Sequence, residues 1–559
     1  MNYVYNLLNT IAEKKKSHFW IFFIVLLLLS LLMIYSYKLF PSFDFYFHYK
    51  RFNVLMEALK NGSYPIYIDS TAANGYGYAT KWFYCDLILV PFAAIGLLTS
   101  AAFAYQFMWF TMTVLCGVFM YCTVNRIYKN SYTAFIGSIL YTFCVYRLLD
   151  LFVRSALGEA LSFTFLPIVF LGIYEILKGD YKKWYILTIG YSLMIFTHVL
   201  STFLTFFTML ILLAIYYKDF IKERKRIYYL IIAGFATIVI TAYFLFPLLE
   251  QMASGSFYYQ TVVKAHPDDH KQNLNWIVWG LFSGIIHPKQ IFIPATGILL
   301  TWAISLRLFV TEKKSTLLKS VDVGVIIGLV FILLASSLVP WTVFPFNKLY
   351  FIQLPWRLYE FVSYFFAVAG GYYLASILKS NLRRFLGAAL VVLCTIFVIT
   401  SSGRDFQYEN SRKNINETPT KNTNNYHLYG MEYIPSKFPS IDYLEQRGEK
   451  IICNNNDIKI NNFKKEKGTT SFDILTTQTG CIELPMFYYK GYAATINNHP
   501  IPIQESEKGL VEIVTNESGH IKVWYEGTTM QKISPYVSLI GLIGLCVYII
   551  RTRKKSAAK

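Results

Sequence analysis

A polytopic, mostly α-helical membrane bundle of about twelve transmembrane helices, with an outer interfacial half-helix and a small extracytoplasmic β-domain, is the fold class the sequence predicts. Three observations predict it. Of 559 residues, 55% are hydrophobic and 18% aromatic while only 15% are charged, too little charge to wet the surface of a soluble chain of this length. Apolar runs long enough for a bilayer recur along most of the chain. The net charge of +19 falls mostly as short Lys/Arg clusters between those runs, the positive-inside pattern of a membrane protein. These facts exclude a purely soluble enzyme and argue against a nucleic-acid partner.

The first apolar run, near 18–40, follows Lys14, Lys15 and Lys16. It is too long for a cleavable signal and no small-residue cleavage site follows, so it is expected to stay as an anchor. Further runs near 103–124, 132–149, 158–177, 200–217, 228–249, 291–309, 321–339, 358–378, 384–400 and 534–550 each predict a helix. A weaker run, 184–197, is too short to span comfortably and predicts a tilted or half-buried helix ending at Thr197-His198.

Residues 83–99 decide the topology, because one more crossing there would flip every later loop. If this stretch, with its Asp86 and Pro91, only dips into the outer leaflet, the clusters Arg126/Lys129, Lys178/Lys182/Lys183, Lys218 to Arg226, Lys313/Lys314, Lys379/Arg383/Arg384 and Arg551 to Lys555 fall on the side of the N-terminal lysines. The Lys/Arg rule selects that arrangement, with both termini cytoplasmic. The expected division is then 1–402 as a transmembrane domain with outer loop 41–102, 403–533 as an extracytoplasmic β-rich domain, and 534–559 as a last helix with a basic cytoplasmic tail. Within 403–533 an Asn-rich stretch (414–425) precedes strand-like alternation. Residues 509–515 and 520–526, joined by Asn516-Glu517-Ser518-Gly519, predict a hairpin with Val511, Ile513, Ile521, Val523 and Tyr525 on one face. No fixed-period repeat is evident.

Chemistry-bearing residues concentrate on the outer side. On a helix after the first span, Asp44, His48 and Arg51 share a face by i, i+4, i+7 spacing, beside an apolar stripe of Phe45, Tyr49, Phe52, Met56 and Leu59. That describes an interfacial helix with a charged edge. Asp150, Arg154 and Glu159 occupy a short turn between two spans, with Arg147 nearby; ionisable groups at that depth are either paired with one another or functional. Arg357, in Ile352-Gln353-Leu354-Pro355-Trp356-Arg357, stands at the mouth of a helix, where a guanidinium suits a phosphate or serves as an interface anchor. His198 ends the short helix. His266-Pro267-Asp268-Asp269-His270 contains ligand-type side chains in no closed zinc spacing. The sequence fixes no cofactor, with a divalent metal left as an option. Cys453 and Cys481 leave a disulfide open without demanding one. Phosphate loops, a nucleophile elbow and a zinc-protease helix are absent from the sequence.

In their order along the chain, several stretches resemble the GT-C superfamily of membrane glycosyltransferases, and within it the bacterial YfhO-like and 6-pyruvoyl-tetrahydropterin-synthase-related membrane proteins. The stretches are Asp44 to Arg51, Asn74-Gly75-Tyr76-Gly77-Tyr78, Arg154 to Glu159, Thr197-His198, Ile352 to Arg357 and Glu483 to Tyr492. The resemblance implies a polyprenyl-phosphate-linked sugar donor and a cell-envelope polymer or glycan as acceptor, with membrane lipid around the site. By that resemblance Asp44 is the catalytic acid-base candidate, with Glu159 and His48 as further catalytic candidates. Arg51, Arg154, Arg357 and His198 would bind the lipid phosphate or substrate. Asp44 lacks an adjacent acid, which argues against a metal-dependent reaction. The chemistry suits the residues: a carboxylate can take the proton of an attacking hydroxyl, and a departing lipid phosphate needs positive charge more than a proton. One base acting opposite the leaving group predicts inversion. The alternatives are a flippase or exporter of a lipid-linked glycan using the same basic groove, and a non-catalytic envelope assembly protein working through its β-domain. Tyr488, Tyr489, Tyr492 and Trp524 of that domain are read first as core aromatics and second as a surface for acceptor polymer.

Overall fold

The computed structural model describes residues 15–38, 42–261, 266–283, 294–312, 315–413, 432–466 and 468–557. Among the described residues, eight helices are long and apolar enough to cross a membrane. They lie within α1 (Lys15–Tyr37), α4 (Ala101–Tyr128), α5 (Ser131–Thr142, continued by further helical turns to Val153), α6 (Leu157–Leu177), α9 (Lys225–Ser254), α11 (Thr316–Leu334), α13 (Asn381–Lys413) and α15 (Thr529–Ala557). Between them stand α2 (Phe45–Lys60), α3 (Val90–Leu98), α7 (Tyr185–Ile195), α8 (Val199–Ile215), α10 (Gly297–Ser305), α12 (Tyr359–Ile377) and α14 (Ile441–Arg447). The half-helix expected over 83–99 is confined to the nine residues of α3, a rise of about 13 Å that is too short to cross a bilayer. Helix α7, at 11 residues, lies within the run 184–197, where a short, tilted or half-buried helix is expected. The Asn-rich 414–425 and the Lys313/Lys314 pair lie outside the described residues.

By packing, the chain forms two units that do not follow the linear division at residue 402. One comprises Met1–His48, Pro91–Thr237 and Ala265–Thr418; the other comprises Tyr49–Val90, Ile238–Lys264 and Pro419–Lys559. Most of loop 41–102 therefore groups with the β-rich segment, because residues 69–78 are bonded to it. Tyr76 accepts the Phe487 N–H (2.9 Å) and its hydroxyl donates to the Gly448 carbonyl at 2.6 Å. Lys465 donates to the carbonyls of Gly75 and Pro485. Gly75 and Gly77 take positive φ in the turn that presents these groups, a conformation that costs glycine little.

In the first unit local sequence sets the helix ends. Ser100 caps α4 by accepting the Phe103 N–H, and Asn130 caps α5 by accepting those of Tyr132 and Thr133. A left-handed Lys129 between them closes a tight helical hairpin. Pro167, inside α6, lacks the N–H that would satisfy the Phe163 carbonyl, and Tyr141 of α5 donates to that carbonyl instead at 2.9 Å. Gly172 and Gly190 let α6 and α7 approach backbone to backbone: a Cβ on Gly172 would lie 2.4 Å from Leu187 Cα.

The second unit carries an antiparallel β-sandwich. One sheet has the order β1 (Ile452–Cys453), β4 (Gly480–Phe487), β8 (Leu510–Thr515), β7 (Ile503–Glu505). The other runs β2 (Lys459–Glu466), β3 (Thr469–Leu475), β9 (Gly519–Tyr525), β5 (Tyr492–Ile496), β6 (His499–Ile501). The hairpin expected over 509–526 is not formed: β8 pairs with β4 and β7, and β9 pairs with β3 and β5. The inward face is the expected one, since Val511, Ile513, Ile521 and Val523 are all fully buried in one core with Phe472 and Ile482. Alternation identifies a buried face, but it does not say whether a neighbouring strand pairs edge to edge or packs across the core. Cys453 stands opposite Ile482, so Cys481 points to the other face of the sheet, and both thiols are free. In the same unit α15 packs along the C-terminal half of α9, where Ser538 Oγ accepts the Tyr243 N–H at 2.7 Å.

Candidate functional site

The site is assembled within the first unit from four separate stretches. After α5, the chain widens through a helical turn at Leu149–Val153, then reverses at Ser155, which takes a left-handed φ of 53°. The reversal is held by Arg154 N–H to Leu149 O (2.9 Å) and Ala156 N–H to Asp150 O (3.0 Å). It turns the Arg154 side chain between two acids: Nη1 lies 2.7 Å from Asp150 Oδ1 and 2.8 Å from Glu159 Oε2. The paired reading of Asp150 and Arg154 is thus realised, and Glu159 shares the same guanidinium.

Glu159 is the hub. Its Oε1 accepts the Tyr146 hydroxyl at 2.5 Å, and its Oε2 receives Arg154 and also Arg357 Nε at 3.3 Å. Arg357 sits in a single helical turn at Pro355–Leu358, just before α12, and is braced by the Ile352 carbonyl (2.9 Å) and Gln353 Oε1 (3.0 Å). One carboxylate oxygen therefore holds two guanidiniums side by side. Asp150, Arg154 and Glu159 are buried, and such charges persist in a dry interior only when each has partners.

Asp44 joins this group through its backbone. Its N–H donates to the Arg154 carbonyl at 2.9 Å, and Ser42 Oγ donates to the Val153 carbonyl. The half-buried Asp44 starts α2 and feels Arg154, Arg357 and Glu159 electrostatically. Burial pushes its carboxyl above the ordinary carboxylate range, opposed by the two arginines and reinforced by Glu159. His48 lies one turn along α2 and is buried, its N–H bonded to the Asp44 carbonyl at 3.2 Å.

His198 caps α8: Nδ1 is 2.9 Å from Ser201 Oγ and accepts the Ser201 N–H at 3.3 Å. It also lies within electrostatic reach of Arg357, Glu159 and Arg154. Of the seven candidates, Asp44, His48, Arg154, Glu159, His198 and Arg357 belong to this unit. Arg51 belongs to the other, where Nε stands 3.2 Å from Asp86 and the guanidinium covers the Tyr84 ring at 4.9 Å. Its partner there is thus a carboxylate, as it is for Arg154 and Arg357 in the first unit.

Residues not singled out from the sequence extend the cluster. Glu360, fully buried, accepts Ser162 Oγ (2.6 Å) on one oxygen and Ser201 Oγ (2.9 Å) on the other. This ties α12 to α6 and α8. The available signal was an acid three residues after Arg357 at the head of an apolar helix. Elsewhere, His266 packs on Tyr350 and His270 on Trp356, and Asp268 pairs with Lys271 at 3.0 Å. Among the described residues no group of three or more His, Cys, Asp or Glu side chains is arranged to hold a metal. In the sandwich Tyr489 is buried, and Tyr488 and Tyr492 pack against the core, while Trp524 is half-buried.

No family model matches the chain. Over 600 aligned positions it is 22% identical to an uncharacterized protein of Lactococcus lactis subsp. cremoris (strain MG1363), the match covering 96% of each chain.

Proposed function

We propose that the protein is a membrane glycosyltransferase of the GT-C type that moves a sugar from a polyprenyl-phosphate donor to a cell-envelope acceptor outside the cytoplasm. The observation that carries this reading is that Asp44, tied by its N–H to the Arg154 carbonyl at 2.9 Å, lies within electrostatic reach of Arg154 and Arg357, the two arginines that share Glu159. In this reading the Asp44 carboxylate takes the proton of the acceptor hydroxyl as that oxygen attacks the anomeric carbon. The bond from that carbon to the lipid phosphate breaks, its electron pair leaves with the phosphate, and Arg154 and Arg357 stabilise the charge. Attack opposite the leaving group inverts the anomeric configuration. Glu159 then acts as a positioning residue that keeps the two guanidiniums adjacent, and Glu360 ties α12, which follows Arg357, to α6 and to α8, the helix that His198 caps.

The same reading sets the topology. Eight long helices, joined by α7, α8, the apolar segment Gly297–Phe309 and α12, make twelve crossings. Both termini are cytoplasmic, and the site and the sandwich face outward, as the Lys/Arg distribution requires.

Purified protein in proteoliposomes, given a polyprenyl-phosphate sugar and envelope glycan, should form a new glycosidic bond. Asp44→Asn should abolish that bond while the protein remains inserted and folded. Full activity in Asp44→Asn would overturn the site assignment. Lipid movement across the bilayer without a glycosidic bond would replace the transferase reading with a flippase.

A further inference from the structure

The far end of the bundle holds a second feature, in the same unit and about 28 Å along α6 from Glu159, judged from its helical rise. A cavity of about 810 Å3 opens there between the ends of α4, α6, α8, α9 and α11. Phe170, Ile173, Leu177 and Leu212 give it a largely apolar lining, joined by the rings of Tyr128, Tyr174 and Tyr364. Its mouth is charged, with Lys178, Lys222 and Arg226 facing Asp219 and Glu223.

The cations differ in how firmly they are held. Arg226 is built into the wall: Nη1 donates to the Ile176 (2.8 Å) and Gly179 (3.3 Å) carbonyls, and Nη2 pairs with Glu223 at 3.2 Å. Lys178 lies over the Tyr216 ring at 3.9 Å, donates to Ser320 Oγ at a long 3.5 Å and stands 4.0 Å from Asp219, the outer limit of an ion pair. Lys222 is exposed and makes no ion pair among the described residues. The two segments at the mouth, 178–183 and 216–226, the second including the short helix Tyr217–Lys222, carry eight cations against three acids.

An apolar chamber opening beside a loosely held cationic rim matches one kind of ligand: an amphiphile whose tail enters the chamber and whose head is anionic. A soluble anion would make no use of the apolar wall. We propose that this cavity binds a phosphate-bearing membrane lipid, its headgroup held by Lys178 and Lys222 and its chain laid against Leu177 and Leu212. This assignment stands apart from the sugar-transfer reading, because it uses neither Asp44 nor the arginines around Glu159.

The test is native mass spectrometry of the full chain in detergent, titrated with phosphatidylglycerol or with phosphatidylcholine. The wild-type protein should retain phosphatidylglycerol several-fold better than phosphatidylcholine. The double variant Lys178→Gln/Lys222→Gln should bring the two close to parity. Leu212→Trp, which fills the chamber and leaves the cations in place, should lower retention of phosphatidylglycerol; it decides the matter if the lysine variant fails to fold, with thermal melting as the fold control. Absence of lipid preference in the wild-type protein, or wild-type retention in a folded variant of either kind, would overturn the proposal. Displacement of phosphatidylglycerol by inorganic phosphate at comparable concentration would also overturn it, by showing that the rim alone, without the chamber, makes the site.

Discussion

The two ends of α6 differ in how much of their charge is locked away. At the Glu159 end, carboxylates and guanidiniums are buried and locked by short bonds, with Glu159 receiving Tyr146, Arg154 and Arg357 at once. At the Lys178 end Glu175 is likewise buried and paired with Arg126 at 2.8 Å, but Lys178 and Lys222 stand at an open mouth, one with a 4.0 Å contact and the other exposed. Buried charge demands a complete set of partners, whereas a charge at the surface keeps water as an alternative. The first arrangement is therefore rigid and intolerant of change, and the second can exchange one partner for another.

Substitutions should separate the two ends by the size of their effects. Glu159→Ala strands Arg154 and Arg357 without their shared acceptor, and a loss of about 3–5 kcal/mol is expected, read as a collapse in folded yield and melting temperature. Glu159→Gln, which keeps an acceptor oxygen, should recover part of that loss. Asp44→Asn should leave melting nearly unchanged while lowering sugar transfer by about 10²–10⁴-fold, the range for loss of a general base. A small drop in transfer, or a large drop in stability, would make Asp44 a structural residue.

The pH dependence follows from the raised Asp44 carboxyl. The base form is the unprotonated one, so transfer should rise with pH through a midpoint above the ordinary aspartate value of about 3.9. Asp44→Asn should remove that limb. The linked effect on stability has the opposite sign: the folded state holds this proton more tightly than the unfolded chain, so the contribution of Asp44 to stability is greatest at low pH and declines as pH climbs through the raised value.

His198→Ala removes the cap of α8 and one neighbour of Ser201. A loss of about 1 kcal/mol is expected, with transfer retained, measured by thermal melting and activity on the same sample. The smallest effect belongs to the open end. Lys222→Gln alone should produce no resolvable shift in melting temperature, because water already solvates that ammonium. A large shift there would show that the rim is locked in the same way as the Glu159 cluster.

Much of the site was legible in the sequence because its ionisable residues stand out against apolar surroundings. Asp44, Arg154, Glu159 and Arg357 all interrupt or flank hydrophobic runs, and such positions are costly enough to attract attention. Glu360 carries the same signal but is absorbed into the apolar run 358–378. Ser162 and Ser201 carry none, since a serine in a membrane helix is ordinary and only its aim toward Glu360 makes it part of the cluster. Arg51 illustrates the reverse case. Its spacing places it on α2, yet spacing alone could not show that Asp86 would take its guanidinium.

By itself the sequence determined the membrane-helical class, the apolar helices and the inward faces of the strands, because hydrophobicity and its period act over neighbouring residues and need no knowledge of the partner. Only the tertiary structure decided that β8 and β9 enter different sheets, that residues 69–78 bond to the sandwich, and that one oxygen of Glu159 joins two arginines about two hundred residues apart. Those outcomes depend on which surfaces meet, and a pattern that says a residue must be buried or paired does not say against what.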